Sequence, residues 1–293
     1  MFSGLSAFPL TPFRDSRVDF SAFGDIVDRA AGAGVDSIGA LGSTGSYPYL
    51  TVDERRHAAS VAVAAANGVP VIVGVGALTL RDVLANVEHA QNAGASAVLL
   101  SVVTYQPLTD SEVIAFIADV AREASIPVCL YDNPRTTHVH FTDSMYAEVA
   151  AIPGIQSIKL PGAPGDAFAE RLRSLRALVP DTVTLGVSGD AFGADALLNG
   201  ADVWYSALAG TLPDELVALA RAAQSGDRDR TAALNTALEP IWTLFADHGS
   251  YRVIAHIARL LGLTDEISLP RPVLPLRDDI VAAIDAAIPD AAR

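Results

Sequence analysis

Cysteine, clustered positive charge and long apolar runs are what this sequence has least of, and each shortage removes a class of protein. The one cysteine, Cys129, lies in the apolar run Pro127-Val128-Cys129-Leu130. It has no intrachain partner for a disulfide, fits a reducing compartment, and reads as core packing. Hydrophobic residues make up 51% of the chain, yet Gly, Pro and charged residues break them into pieces far shorter than the roughly 20 residues a membrane span needs. A soluble chain with no membrane partner is expected. Met1-Phe2-Ser3-Gly4 carries no cationic segment ahead of an apolar one and no small-residue cleavage site. A secretory leader is therefore not expected, and the cytoplasm is the expected compartment. With a formal net charge of −14 and no Lys/Arg cluster interleaved with aromatics, the chain repels a phosphate backbone, which argues against a nucleic-acid partner.

What is present is a repeat. Eight short, β-rich apolar runs recur along the 293 residues, each followed by a helical pattern. They cover 4–10, 37–41, 70–75, 97–103, 127–131, 156–160, 183–187 and 202–207. Most are continuous rather than alternating, as parallel strands buried on both faces are. Thr51, Thr109 and Thr142 stand where helix caps are needed, with acidic residues close behind. Gly34, Gly94 and Gly200 stand where helices must stop. The count of eight predicts a (β/α)₈ barrel over 1–225, with additional C-terminal helices over 226–293 packed on it rather than forming an independent domain. An open doubly wound sheet would alternate in the same way, but no Gly-rich dinucleotide fingerprint opens the first helix.

In a barrel, chemistry belongs at the C-terminal ends of the strands. Lys159, in Ser157-Ile158-Lys159-Leu160-Pro161, places an ammonium inside an apolar strand. Burial there would lower its pKa toward the range in which a neutral amine attacks a carbonyl. The plainer reading is a lysine snorkelling outward or paired with an acid. Tyr131 ends the fifth run and is placed to relay a proton, or simply to fill the core. Gly42-Ser43-Thr44-Gly45 offers two hydroxyls and backbone N–H groups suited to a carboxylate, or is an ordinary turn. Ser188-Gly189-Asp190 follows the seventh run, and Ser206 closes the eighth.

In order and spacing, Ala7-Phe8-Pro9-Leu10-Thr11-Pro12-Phe13, Gly42–Gly45, Tyr131-Asp132-Asn133-Pro134, Ile158-Lys159, Ser188-Gly189-Asp190 and Gly200-Ala201-Asp202 resemble the dihydrodipicolinate synthase / N-acetylneuraminate lyase family of class I aldolases and lyases. The resemblance covers nearly the whole chain. It implies a Schiff base from Lys159 to pyruvate or another 2-oxo acid, with Tyr131 relaying the proton and no cofactor beyond the imine. It also implies Ser43 and Thr44 at the carboxylate, with Gly42 and Gly45 shaping the turn. Ser43 would further link Tyr131 to a tyrosine donated by a neighbouring subunit, for which Tyr105 is the candidate. A homo-oligomer, tetramer or dimer, is expected, as is an aldehyde co-substrate. Arg135, Thr136, Gly189, Asp190 and Ser206 are the candidates for contacting these substrates. The family's acidic residue after the turn is replaced by Ser46, and its arginine for the second substrate falls at Thr136, one position after Arg135. The histidines of the family's lysine feedback site are replaced by Val52 and Arg55, so lysine inhibition is not expected.

Four other readings compete. A metal-dependent barrel needs converging ligands, and of the six histidines His57, His89 and His256 fall in helical patterns, His248 in a turn and His138 and His140 in a loop; no metal is expected. Gly189, Gly193 and Gly210 could instead serve a phosphate site. A sugar-acid dehydratase using the same imine, and a non-catalytic barrel that binds a 2-oxo acid, also remain open.

Overall fold

The computed structural model describes residues 1–293. Its eight barrel strands are β1 (Gly4–Ala7), β2 (Ser37–Ala40), β3 (Val71–Gly74), β4 (Ala97–Ser101), β5 (Val128–Tyr131), β6 (Ile155–Pro161), β7 (Thr184–Ser188) and β8 (Val203–Ser206). Each pairs in parallel with its sequence neighbour, and β8 returns to β1, so the sheet closes in strict chain order. The chain is a (β/α)₈ TIM barrel with C-terminal helices. Every predicted run overlaps one strand. Pro70 and Pro127, just ahead of β3 and β5, give no N–H to the ladder, but their carbonyls accept from Ile38 and Val98.

Closure divides the apolar residues into two cores. On β5, Val128 and Leu130 join the large cluster between sheet and helices, while Cys129 and Tyr131 join a small cluster with Phe8, Leu99, Val203 and Tyr205 inside the barrel. This is the period-two side-chain alternation of a strand whose faces are both dry. It explains the unbroken apolar runs. Cys129 is thus core, as read, but it is interior core beneath the barrel mouth.

The helices α1 (Phe20–Gly32), α2 (Val52–Ala65), α3 (Leu80–Asn92), α4 (Asp110–Glu123), α5 (Asp143–Ala150), α6 (Asp166–Arg176), α7 (Asp190–Leu198) and α8 (Pro213–Gln224) form the outer ring. Thr51 and Thr109 make reciprocal capping boxes with Glu54 and Glu112, and the Thr142 hydroxyl accepts from Met145 N–H. A two-residue hairpin, Phe13–Arg14 with Arg17–Val18, escapes the sequence pattern because it is too short to show a period.

Three further helices follow, α9 (Arg228–His248), α10 (Ser250–Leu260) and α11 (Asp278–Ala287). Their Leu238, Ile241, Val253, Ile254, Ile257 and Ile284 belong to the same apolar cluster as the barrel helices. His248 is the last residue of α9 rather than part of a turn, because the break comes one residue later at Gly249, φ +80°. Two contacts tie the extension to the barrel's strand-end face. Phe13 N–H donates to Ser268 Oγ at 3.2 Å, and the Tyr251 hydroxyl lies 2.7 Å from Ser46 Oγ in the loop after β2. No helix is long and apolar enough to cross a membrane.

Candidate active site

Register builds the site. Ser101 on β4 pairs with Tyr131 on β5, Tyr131 with Lys159 on β6, and Lys159 with Gly186 on β7. Paired residues of neighbouring strands point to the same face, so these positions all face the barrel interior near the mouth. The Lys159 ammonium, on a residue only 5% exposed, lies 3.9 Å from the centroid of the Phe8 ring, 4.3 Å from that of Tyr131 and 5.5 Å from that of Tyr205. Phe8 and Tyr205 meet edge to face at 5.7 Å. Aromatic faces attract a cation, and the nearby Cys129 and Asp190 side chains also favour it, but burial outweighs them and pushes the amine down to about 8. At pH 7.5 roughly a quarter of such amines are neutral, against roughly one in a thousand for an ordinary lysine. Lys159 is also the only lysine in the 293 residues. That count is a strong chemical signal in the sequence, one that strand patterning alone does not register.

Tyr131 faces Lys159 with its hydroxyl already oriented. Asn133 Nδ2 donates to Tyr131 Oη at 2.8 Å, leaving the phenolic proton free to be given. Burial raises its pKa, opposed by the Ser43 hydroxyl and the Asn133 amide, so it stays protonated through neutral pH. Ser43 and Tyr131, linked only by resemblance in the sequence, are neighbours here.

The β2 loop is held in an unusual shape. Leu41 adopts φ +58°, a region costly for a bulky side chain, and Gly74 leaves the space its carbonyl occupies. Gly42 leaves room for the Phe8 ring, which a methyl group there would meet, so the loop and the aromatic cage are fitted to each other. The backbone N–H groups of Gly42, Ser43, Thr44 and Gly45 donate to no protein acceptor. The Gly45 carbonyl accepts from Thr11 Oγ1 at 2.7 Å, pinning the loop to the segment after β1. The loop thus carries four N–H groups without a protein acceptor and two hydroxyls, and it packs on the Phe8 ring that also covers the Lys159 amine.

The remaining candidates divide. Asp190 and Ser206, expected to contact substrate, are engaged by the fold. Asp190 accepts from the Trp204 indole N–H at 3.2 Å and from Leu208 N–H at 3.1 Å, while Ser206 Oγ accepts from Ala209 N–H at 3.0 Å. They fix β8 and the loop after it, and Asp190 acts on Lys159 only through its charge. Gly189 is exposed at the start of α7 with φ +97°. Arg135 and Thr136 are exposed on a single helical turn, Pro134–Thr137, and Arg135 has no carboxylate partner. Tyr105 is 87% exposed and reaches nothing in the site of its own chain. No three His, Cys, Asp or Glu side chains are grouped to hold a metal ion. Tyr205 was not singled out in the sequence, and Phe8 and Asn133 stood there only as members of longer motifs.

Holding a depressed amine costs stability. Lowering the Lys159 pKa from about 10.4 unfolded to about 8 folded destabilises the protein by roughly 3 kcal/mol below pH 8, a cost that fades between about pH 8 and 10.4. Lys159→Met should therefore raise the chemical denaturation midpoint at pH 7, by about 1–3 kcal/mol, with a smaller gain above pH 10. A destabilised variant at pH 7 would show that the amine is not held under strain.

Comparison with known proteins places this geometry. The sequence profile of the dihydrodipicolinate synthetase family matches residues 1–291. A 4-hydroxy-tetrahydrodipicolinate synthase of Chelativorans sp. is 30% identical over 296 residues, covering 98% of each chain. The crystal structure of dihydrodipicolinate synthase from Agrobacterium tumefaciens superposes with a TM-score of 0.95 at 41% identity, covering 98% of this chain and 97% of that one. The Acinetobacter baumannii dihydrodipicolinate synthase, crystallised with pyruvate, shares the fold at 23% identity, TM-score 0.88, covering 98% of each chain. The chain belongs to the dihydrodipicolinate synthetase family and is an enzyme of the aldolase and lyase type.

Proposed function

We propose that Lys159 captures pyruvate or a closely related 2-oxo acid as a Schiff base and directs it into carbon–carbon bond formation with an aldehyde, or the reverse cleavage. The observation that carries this reading is the depressed amine of the only lysine, caged by Phe8, Tyr131 and Tyr205 beside free N–H donors. Neutral Nζ adds to the C2 carbonyl, giving a carbinolamine. Tyr131 supplies a proton to the departing hydroxyl, which leaves as water, and the imine remains. Loss of a C3 proton then gives the enamine, whose carbon attacks the aldehyde. Hydrolysis of the resulting imine frees the lysine. The substrate carboxylate fits the donors of Gly42 to Gly45, with the Ser43 and Thr44 hydroxyls, where it also fixes the carbonyl for attack. Arg135, an unpaired cation at the rim, and Thr136 suit an aldehyde that carries its own carboxylate.

A second copy of the chain is the proposed cover for one sector of the rim. Tyr49, Val52, Leu78, Tyr105 and Leu108 are exposed apolar residues following the adjacent strands β2, β3 and β4. Exposed apolar side chains gathered on one sector of a rim are what a subunit interface would cover.

Incubation with pyruvate and borohydride should leave one reduced adduct at Lys159, found by peptide mass spectrometry, and Lys159→Arg should leave none. An unmodified Lys159 with pyruvate and with longer 2-oxo acids would exclude the imine. In sedimentation velocity at micromolar concentration the protein should run as a dimer or tetramer, and Tyr105→Asp should shift it toward the monomer. A monomeric wild-type protein would remove the proposed partner.

A further inference from the structure

A phenol that gives up its proton leaves negative charge on its oxygen, and the structure holds a neutral donor on that oxygen. Asn133 Nδ2 donates to Tyr131 Oη at 2.8 Å. The residue that carries this amide is fixed from both sides. Before it, Asp132 N–H donates to the Lys159 carbonyl at 3.0 Å, and the buried Asp132 carboxylate accepts from the Tyr146 hydroxyl on α5. After it, Pro134 opens the single helical turn. The Asn133 carbonyl accepts from the N–H groups of Thr136 and Thr137 at 3.0 Å each and from the Oγ1 of buried Thr137 at 2.9 Å. An asparagine side chain has only two rotatable bonds, so a backbone held this firmly leaves its amide few positions other than the one on the phenol.

We propose that Asn133 is a positioning residue for the imine steps, its side-chain N–H holding the Tyr131 oxygen as the proton leaves it. The inference rests on the imine reading. Dehydration of the carbinolamine breaks the C2–O bond. The hydroxyl departs as water with the Tyr131 proton, the nitrogen lone pair closes the C=N bond, and a cationic imine and a phenolate remain. Asn133 transfers no proton. Its hydrogen bond passes from a neutral to an anionic acceptor, and bonds to an ionised partner are roughly twice as strong. The amide therefore stabilises the state in which the proton has been given more than the resting phenol, which is the condition for accelerating the step. In hydrolysis, water adds to C2 and returns a proton to the phenolate, so protons balance over the cycle. The same amide opposes the upward push that burial exerts on the Tyr131 phenol. Asn133 acts through Tyr131 and is not assigned a contact with substrate.

The test separates a donor from a space-filling side chain. Quench-flow with pyruvate, stopped with borohydride, follows the Lys159 adduct in time. Asn133→Asp keeps the shape of the side chain and turns the donor into an acceptor. At pH 8 it should form the adduct about tenfold or more slowly than wild type, where loss of one oxyanion donor costs about 10²–10³ in rate. The ratio of its rate to the wild-type rate should rise as pH falls from about 8 to 5.5, because the carboxyl regains a proton to donate. Asn133→Leu, of similar size, should be slowed alike, with a ratio that stays flat over that range and an unchanged Lys159 titration midpoint. A slowing of less than about tenfold, or an Asn133→Asp ratio that ignores pH, overturns the proposal. So does a slowing of Asn133→Leu that comes with a displaced Lys159 midpoint, since the amine and not the phenol would then be at fault. If Asn133→Asp does not fold, Asn133→Leu carries the rate criterion alone. Wild-type protein that forms no adduct sinks the imine reading itself. Wild-type adduct with unimpaired Asn133 variants sinks only the role of the amide.

Discussion

The desolvation of one ammonium group organises this molecule. Lys159 is placed where Phe8, Tyr131 and Tyr205 leave no room for a full hydration shell. Cation–π attraction and the charge of Asp190 limit the penalty without removing it, and the balance brings the amine to about 8. Much of the surrounding architecture follows from building that environment. Gly39 and Gly42 leave room for the Phe8 ring, and Gly186 for Tyr205. The trade is the usual one for a functional site, in which a locally unfavourable arrangement is tolerated because the rest of the fold is well packed.

The barrel supplies that packing and also the precision. The large outer core holds strands to helices, and the small inner core holds the strands in register against one another. Beneath Lys159, Cys129 and Ser157 contact the Tyr205 hydroxyl at 3.4 and 2.6 Å, which fixes the aromatic floor of the site. Above it, the β2 loop is braced from two directions, by Thr11 after β1 and by Tyr251 at the start of α10. The C-terminal helices therefore do more than cover the barrel. Tyr251 holds the loop that carries the unpaired N–H groups of Gly42 to Gly45.

The parts that repeat were legible in the sequence. Eight apolar runs, threonine caps and helix-ending glycines write a periodic signal, and closure of eight parallel strands follows from it. Lys159 and Tyr131 were legible because a lysine inside an apolar strand is chemically conspicuous. The aromatic cage was not, since Phe8, Tyr131 and Tyr205 lie far apart in the sequence and each alone resembles core filling. For Asp190 and Ser206 the sequence shows only that a polar residue follows or ends a strand; their bonds to Trp204, Leu208 and Ala209 emerge only in the fold.

The presence of a single lysine allows the central claim to be read without ambiguity. Incorporation of ¹³C-labelled lysine gives one Cε resonance, and its chemical shift followed against pH reports the ionisation of Lys159 alone. A midpoint near 8, with the neutral amine gaining as pH rises through it, is the predicted result. A midpoint above 10 would mean that the amine is solvated like a surface lysine, and the account of the site built on its desolvation would be contradicted.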